Sequence, residues 1–255
     1  MGSGQSAIRA LASVTAVVTM LGLATACDSS TSDGPESATT ATSASSATVR
    51  ATPLTGFIEP DDGTRGTVTY QAELPQLRGG DAAVREMFNT EMRAALDRYL
   101  QPADDDTPVT VAPGILARDH RSEVSHIGTG AVAGVLVLNI YPDRAAHPYN
   151  VVATAVIDAH AARPLALTDL FTDPAAGLTA VVDGLKVEIA DDELLAGQTP
   201  PQPVADQLAD WVPAADGLVI YLPVAHVLGD YYPVTVGWDV LAGVLKPGMR
   251  ETLTA

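Results

Sequence analysis

Two runs of alternating apolar residues, separated by a short polar connection, leave a chain few ways to fold. This sequence has such a pair between Val135 and Asp158. In the first run Val135, Val137, Asn139 and Tyr141 fall on one side of an extended backbone, and Leu136, Leu138 and Ile140 on the other. In the second, Val152, Thr154, Val156 and Asp158 oppose Val151, Ala153, Ala155 and Ile157. Side chains alternate across a strand with period two, and β-branched residues suit that pleated surface, so both runs are expected to be strands. The short Pro-, Asp- and Arg-rich connection favours an antiparallel pair. Downstream, Pro164 leads into a Thr168-Asp169-Leu170-Phe171 corner. There Thr168 or Asp169 is expected to cap a turn while Leu170 and Phe171 enter the core.

Elements on either side of this pair follow the same logic. Gly66 to Leu74 alternates with Val68, Tyr70, Ala72 and Leu74 inward and is expected to be a strand closed by Pro75. Asp81 is placed to cap a helix reaching about Leu100, with Val84, Met87, Phe88, Met92, Ala95, Leu96 and Tyr99 at helical spacing. Gln101 to Gly114 is acidic and Pro-rich and reads as a loop, and Glu123 to Ile127 as a short strand. Asp173-Pro174 opens a second helix whose apolar face is Leu178, Val181, Val182, Leu185 and Ile189, weakened but not broken by Gly184. A short helix is expected around Val204 to Trp211, strands at Gly217 to Leu222 and Val234 to Val236 with a loop between them, and a final helical turn at Asp239 to Leu245. Strand, helix, several strands, helix and strands again is an α+β order: mainly antiparallel sheet packed with two to three helices. The folded part is expected to span 53–255, about 200 residues, enough to bury one sizeable core.

The first 52 residues have a different character. Leu11 to Leu23 is uncharged but only 13 residues long, short of the roughly 20 a membrane span needs, so 1–26 reads as a signal peptide. Ala24-Thr25-Ala26 before Cys27 resembles the lipobox of bacterial lipoproteins, with Ala24 standing where Leu is usual. That resemblance implies a lipid on the Cys27 thiol and removal of the leader. The other readings are a secretory peptide cut nearby and an uncleaved anchor. Residues 27–52, rich in Ser, Thr and Ala, cannot bury enough apolar surface to offset ordering and read as a disordered tether. As a flexible chain it would span roughly 25–30 Å, well beyond the ~8 Å over which charge acts in physiological salt. Cys27 is the one cysteine, so no internal disulfide is available. The formal charge of −17 becomes −18 when Arg9 leaves with the leader. Such acidity argues against nucleic acid or anionic lipid as a ligand; it fits a cationic partner or simple solubility.

Several segments resemble one family. AHPYN (Ala146 to Asn150), a strand ending in Asp158, PLALTDLF (Pro164 to Phe171), an amphipathic helix and DGLVIYL (Asp216 to Leu222) before a Tyr-rich turn and last strand are similar to the RsiV-like domain. A preceding helix carrying Asn89 fits the same pattern. The resemblance covers roughly Gly66 to Leu245. It implies an α+β domain of unknown function in the extracytoplasmic part of an anti-sigma factor, without an agreed catalytic activity, which in that protein binds the cationic protein lysozyme. The final HVLGDYYPVTVG segment departs from the family's pattern, and a lipobox replaces the expected membrane helix.

The residues themselves offer little chemistry. No G-x-S-x-G elbow occurs, and the five histidines show no H-E-x-x-H or H-x-E spacing. Asp158 and His160, with His147 across the connection, are the one combination considered for a metal or catalytic centre, and no cofactor is expected. Asp104-Asp105-Asp106 and Asp191-Asp192-Glu193 lack the spacing of a calcium loop and read as solvated loop charge. A candidate recognition surface is drawn at His147, Tyr149, Asn150, Asp230, Tyr231 and Tyr232, with one of the two adjacent tyrosines expected in the core. The expected function is a lipid-anchored extracytoplasmic binding or sensor protein whose partner is a basic protein or cell-wall component. The alternatives are an envelope hydrolase acting on glycan or ester bonds, which needs polar side chains converging in a cavity, and a structural surface protein with no small ligand.

Overall fold

The structure is a computed structural model describing residues 52–102 and 107–255. Cys27, the leader, the tether up to residue 51 and Asp104-Asp105-Asp106 lie outside the described residues. The chain opens with a long hairpin, β1 (Thr55–Arg65) and β2 (Val68–Arg78), paired antiparallel along its whole length. Gly66 turns it at φ +59°, a conformation open to glycine. β2 runs on through Pro75, contrary to the expected break there. The reason lies in the parity of the strand. The Leu77 N–H donates to Asn89 Oδ1 (2.7 Å) and its carbonyl accepts from Asn89 Nδ2 (3.0 Å), so residues of this parity turn away from β1. Pro75 shares that parity, and the N–H it lacks would have pointed where no strand pairs.

Helix α1 (Ala82–Tyr99) starts where expected, the Asp81 carboxylate accepting from the Ala83 and Val84 amides at 2.8 and 3.1 Å. The supposed loop after it contains strand β3 (Val109–Pro113), parallel to the start of β2. β4 (Glu123–Ile127) follows, then the central pair β5 (Ala131–Pro142) and β6 (Tyr149–Asp158), antiparallel from Ala131↔Asp158 to Ile140↔Tyr149. The two-residue β7 (Arg163–Pro164) completes a seven-stranded sheet in the order β1-β2-β3-β5-β6-β7, with β4 sharing the β3 side of β5. Ser122 Oγ and the Gly114 N–H bridge to Val137 in the gap between β3 and β4.

The alternation in β5 and β6 sorts side chains into two separate cores. Leu136, Leu138, Ala153, Ala155 and Ile157 pack with Val84, Phe88, Met92 and Leu96 of α1. Val135, Val137, Val152 and Val156 pack on the opposite face with the buried apolar residues from Leu165 onward. Phe88 lies so close to Gly134 that a Cβ there would sit 2.6 Å from its Cζ.

After the 3-10 turn Leu167–Leu170, where Asp169 Oδ2 accepts the Ala166 N–H and Leu170 and Phe171 are buried as expected, comes α2 (Pro174–Asp191). Gly184 does more than weaken this helix: a Cβ there would lie 2.6 Å from Val236, so its absence lets α2 settle on the sheet below. The expected helix at Val204 to Trp211 is only a 3-10 turn, Ala205–Leu208, because the Trp211 amide is taken by Thr154 Oγ1 (3.1 Å) of β6. Trp211 instead begins β8 (Trp211–Pro213), which with β9 (Gly217–Pro223) and β10 (Tyr231–Gly237) forms a three-stranded antiparallel sheet. Tyr231 and Tyr232 are therefore strand residues. Short helices α3 (Trp238–Leu241) and α4 (Met249–Thr254) close the chain.

Candidate functional site

The outer edge of β6 has no strand beside it between Asn150 and Thr154, and side chains finish it instead. Asp230 Oδ2 accepts the Asn150 N–H at 2.7 Å and Tyr99 Oη donates to the Val152 carbonyl at 2.9 Å, while the Thr154 side chain reaches outward, its Oγ1 accepting the Trp211 N–H. Further along, the Leu165 N–H reaches the Val156 carbonyl at 2.8 Å. These residues share one parity along the strand, and α1, β8 and the turn before β10 all supply partners.

The sequence-derived recognition surface converges at the start of this edge. Asn150 is its knot: Nδ2 donates to the carbonyls of Ile115 and Gly229, both at 3.1 Å, and Oδ1 accepts from Asn139 Nδ2 at 3.0 Å. Asp230, held at φ +70° after Gly229 at φ +94°, bridges the Asn150 amide and His226 Nδ1 (2.9 Å). The His226 ring stacks on His147 with centroids 3.9 Å apart and planes at 14°. Tyr149 is exposed beside them, and Tyr231 is half-buried. Tyr232 is a correction to that surface. Adjacent strand residues point oppositely, so it is 1 % exposed and its hydroxyl donates to Asp192 Oδ2 at 2.8 Å.

Asp192 is likewise more than solvated loop charge. It caps the Leu194 N–H and pairs with Arg118 at 2.8 Å, and the Tyr232 hydroxyl, with the other contacts, holds its carboxyl below the usual range. His147, Asp158 and His160 do not gather. Asp158 Oδ1 caps a turn through the His160 and Ala161 amides (2.9 and 3.0 Å) at the far end of β6, some 30 Å of strand from His147 at ~3.3 Å per residue. Among the described residues no group of three acidic, His or Cys side chains is placed to hold a metal.

Asp210, which the sequence did not single out, gives the site its electrostatics. Burial pushes its carboxyl up to about 6, against the smaller lowering effects of the Thr154 amide and Arg98. The tyrosines around it respond in kind. Burial, then the Asp210 charge, pushes Tyr99 up to about 12, and the same two causes raise Tyr231. Burial also raises Tyr221, with Glu123 and Asp210 adding to it. Asp210 lines a cavity of about 490 Å³ with Asp206, Gln198, Gln202, Gln207 and Tyr231, walled on its apolar side by Ile189, Leu195, Leu222 and Pro223. A second cavity of about 420 Å³ holds Arg118, Glu188, Asp191, Asp192 and Tyr232. A third, about 370 Å³, lies against β4 and carries His120, Glu123, Ser125 and His126, with the His126 imidazole made less basic by burial.

The architecture defined here is an α+β domain: a seven-stranded, mainly antiparallel sheet with a helix on one face and a smaller sheet plus helix on the other. Solved structures share it. A DUF3298 family protein from Pseudomonas aeruginosa PAO1 matches with a TM-score of 0.54 at 14% identity, over 78% of this chain and 97% of that one. A member of the same family from Bacteroides fragilis NCTC 9343 matches with a TM-score of 0.53 at 15% identity, over 80% and 98%. The likeness is one of fold, and it places the structural neighbours in a domain family of unknown function. No family model and no curated protein matches the sequence.

Proposed function

We propose that this chain is a lipid-anchored binding or sensor protein of the bacterial envelope. It is moored at Cys27 to the outer face of the cytoplasmic membrane and is an RsiV-like domain in the finer sense of its AHPYN and PLALTDLF segments. Its ligand is a cationic protein or a cell-wall component, of which the first is favoured. The observation that carries this reading is the cavity beside Asp210, whose lining among the described residues holds two Asp, three Gln and no Lys, Arg or His. It belongs to a domain with strong charge asymmetry: residues 53–255 hold 12 Lys and Arg against 28 Asp and Glu, a net of −16. A field of that sign draws basic partners, speeds encounter and weakens with salt.

The test is capture by the full-length chain from an envelope extract, at about 20 mM and about 300 mM salt, with bound proteins identified. Recovery of basic proteins at low salt and their release at high salt is the expected outcome; an empty low-salt capture refutes the partner. Mass spectrometry of the membrane-bound protein should find a lipid on the Cys27 thiol and residue 27 at the N-terminus, and an unmodified thiol refutes the mooring.

A further inference from the structure

We propose that the 490 Å³ cavity receives a basic side chain of the partner protein, an arginine guanidinium or lysine ammonium, with Asp210 as its counter-ion. This inference deepens the cationic-partner reading and rests on it. The volume lies in the range that small ligands fill. The lining is divided as such a side chain is divided: Ile189, Leu195, Leu222 and Pro223 offer apolar surface to an aliphatic stem, and Asp206, Asp210 and three Gln offer acceptors to a charged head.

A buried carboxylate is costly unless a cation or hydrogen bonds satisfy it. The two acidic cavities described above differ in that respect. In the 420 Å³ cavity Asp192 already holds Arg118 at 2.8 Å, with that guanidinium 5.1 Å from the centre of the Tyr232 ring. In the larger cavity the Asp210 carboxylate has the Thr154 amide as a hydrogen-bond donor but forms no ion pair with any described residue; Arg98 acts on it only at a distance and most weakly. The charged and titratable groups around it are Arg98 and Tyr99 from α1, Asp206, Tyr221 from β9 and Tyr231 from β10. Tyr231 lines the larger cavity together with Asp210, as Tyr232 lines the smaller one together with Asp192. The Arg118 arrangement shows within this molecule how such a pair holds a guanidinium.

The test titrates the detergent-solubilised full-length chain with tri-arginine and with tri-citrulline, which has a nearly identical shape without the charge. Saturable tri-arginine binding, at least tenfold weaker for tri-citrulline, is expected. Asp210→Asn should weaken tri-arginine at least tenfold, while Asp183→Asn, an exposed acid on α2, should change it less than twofold. Ala209→Arg, at an exposed position on the cavity wall, should block binding by supplying a cation in cis and carries little risk to folding. Wild-type affinity should fall as the pH drops below 6. Undiminished tri-arginine binding by Asp210→Asn, or equal binding of tri-citrulline, overturns the assignment. The two readings fail differently: basic proteins captured equally by wild type and Asp210→Asn sink the cavity alone, whereas wild type capturing none sinks the partner.

Discussion

Replacing Asp210 by Asn should stabilise this protein, by an amount that depends on pH. In the unfolded chain the carboxyl titrates near 3.8, and in the fold burial moves it to about 6. Because the folded value is raised, the folded state binds the proton more tightly and stability declines as pH rises between the two values. Above about pH 6 the full cost is present; below about pH 4 it is gone. Two units at about 1.4 kcal/mol each correspond to about 3 kcal/mol. Water at the open side of the cavity screens part of this, leaving a gain of about 2 kcal/mol for the neutral Asn. For a domain of this size that is roughly 4–8 °C in Tm. Thermal melts of wild type and Asp210→Asn, followed by circular dichroism at pH 8 and pH 4 without ligand, should therefore diverge at pH 8 and coincide at pH 4. A variant less stable at pH 8, or an offset of equal size at both pH values, would show that the carboxylate is not under strain from burial.

Other outcomes follow from the packing. A Cβ at Gly177 would lie 2.0 Å from Cγ of the buried Phe171, so Gly177→Ala should cost about 1–3 kcal/mol by urea denaturation despite its better helix propensity. Gly243→Ala meets nothing within 4 Å and should be neutral or gain up to ~1 kcal/mol in the same assay. Asn89→Leu strips both Leu77 backbone groups of their partners and should lower stability by about 2–3 kcal/mol, visible as a reduced urea midpoint. Asn150→Ala should speed hydrogen exchange in 225–230 by at least tenfold while leaving the centre of α1 unchanged; equal protection in both variants would mean the knot does not hold that turn.

What the sequence discloses and what it hides have physical causes. β5 and β6 are legible because their alternation is regular on both faces, and α1 and α2 because each begins with an Asp cap and keeps a helical stripe. β1 is hidden by Pro60-Asp61-Asp62-Gly63, which looks like a turn and survives as strand because the β2 ladder imposes it at an exposed edge. β3 is masked by its flanking prolines in the same way. His147, Tyr149, Asn150, Asp230 and Tyr231 could be singled out by composition, since polar and aromatic residues crowded into connections suggest a surface. His226, the other half of the stacked pair, was visible only as a loop residue. Asp210 carried no local signal at all. Its burial comes from α1, β6 and β10, which lie far away in sequence, and no pattern over neighbouring residues encodes that.

The finished flank of β6 also governs what this molecule can stick to. A bare row of amides and carbonyls invites any extended chain to zip on, the route to swapped dimers and fibres. Here Asp230 and Tyr99 occupy that row at the Asn150 amide and the Val152 carbonyl. With those two groups already partnered, an extended segment of another chain meets no free amide at Asn150 and no free carbonyl at Val152 from which to start a ladder.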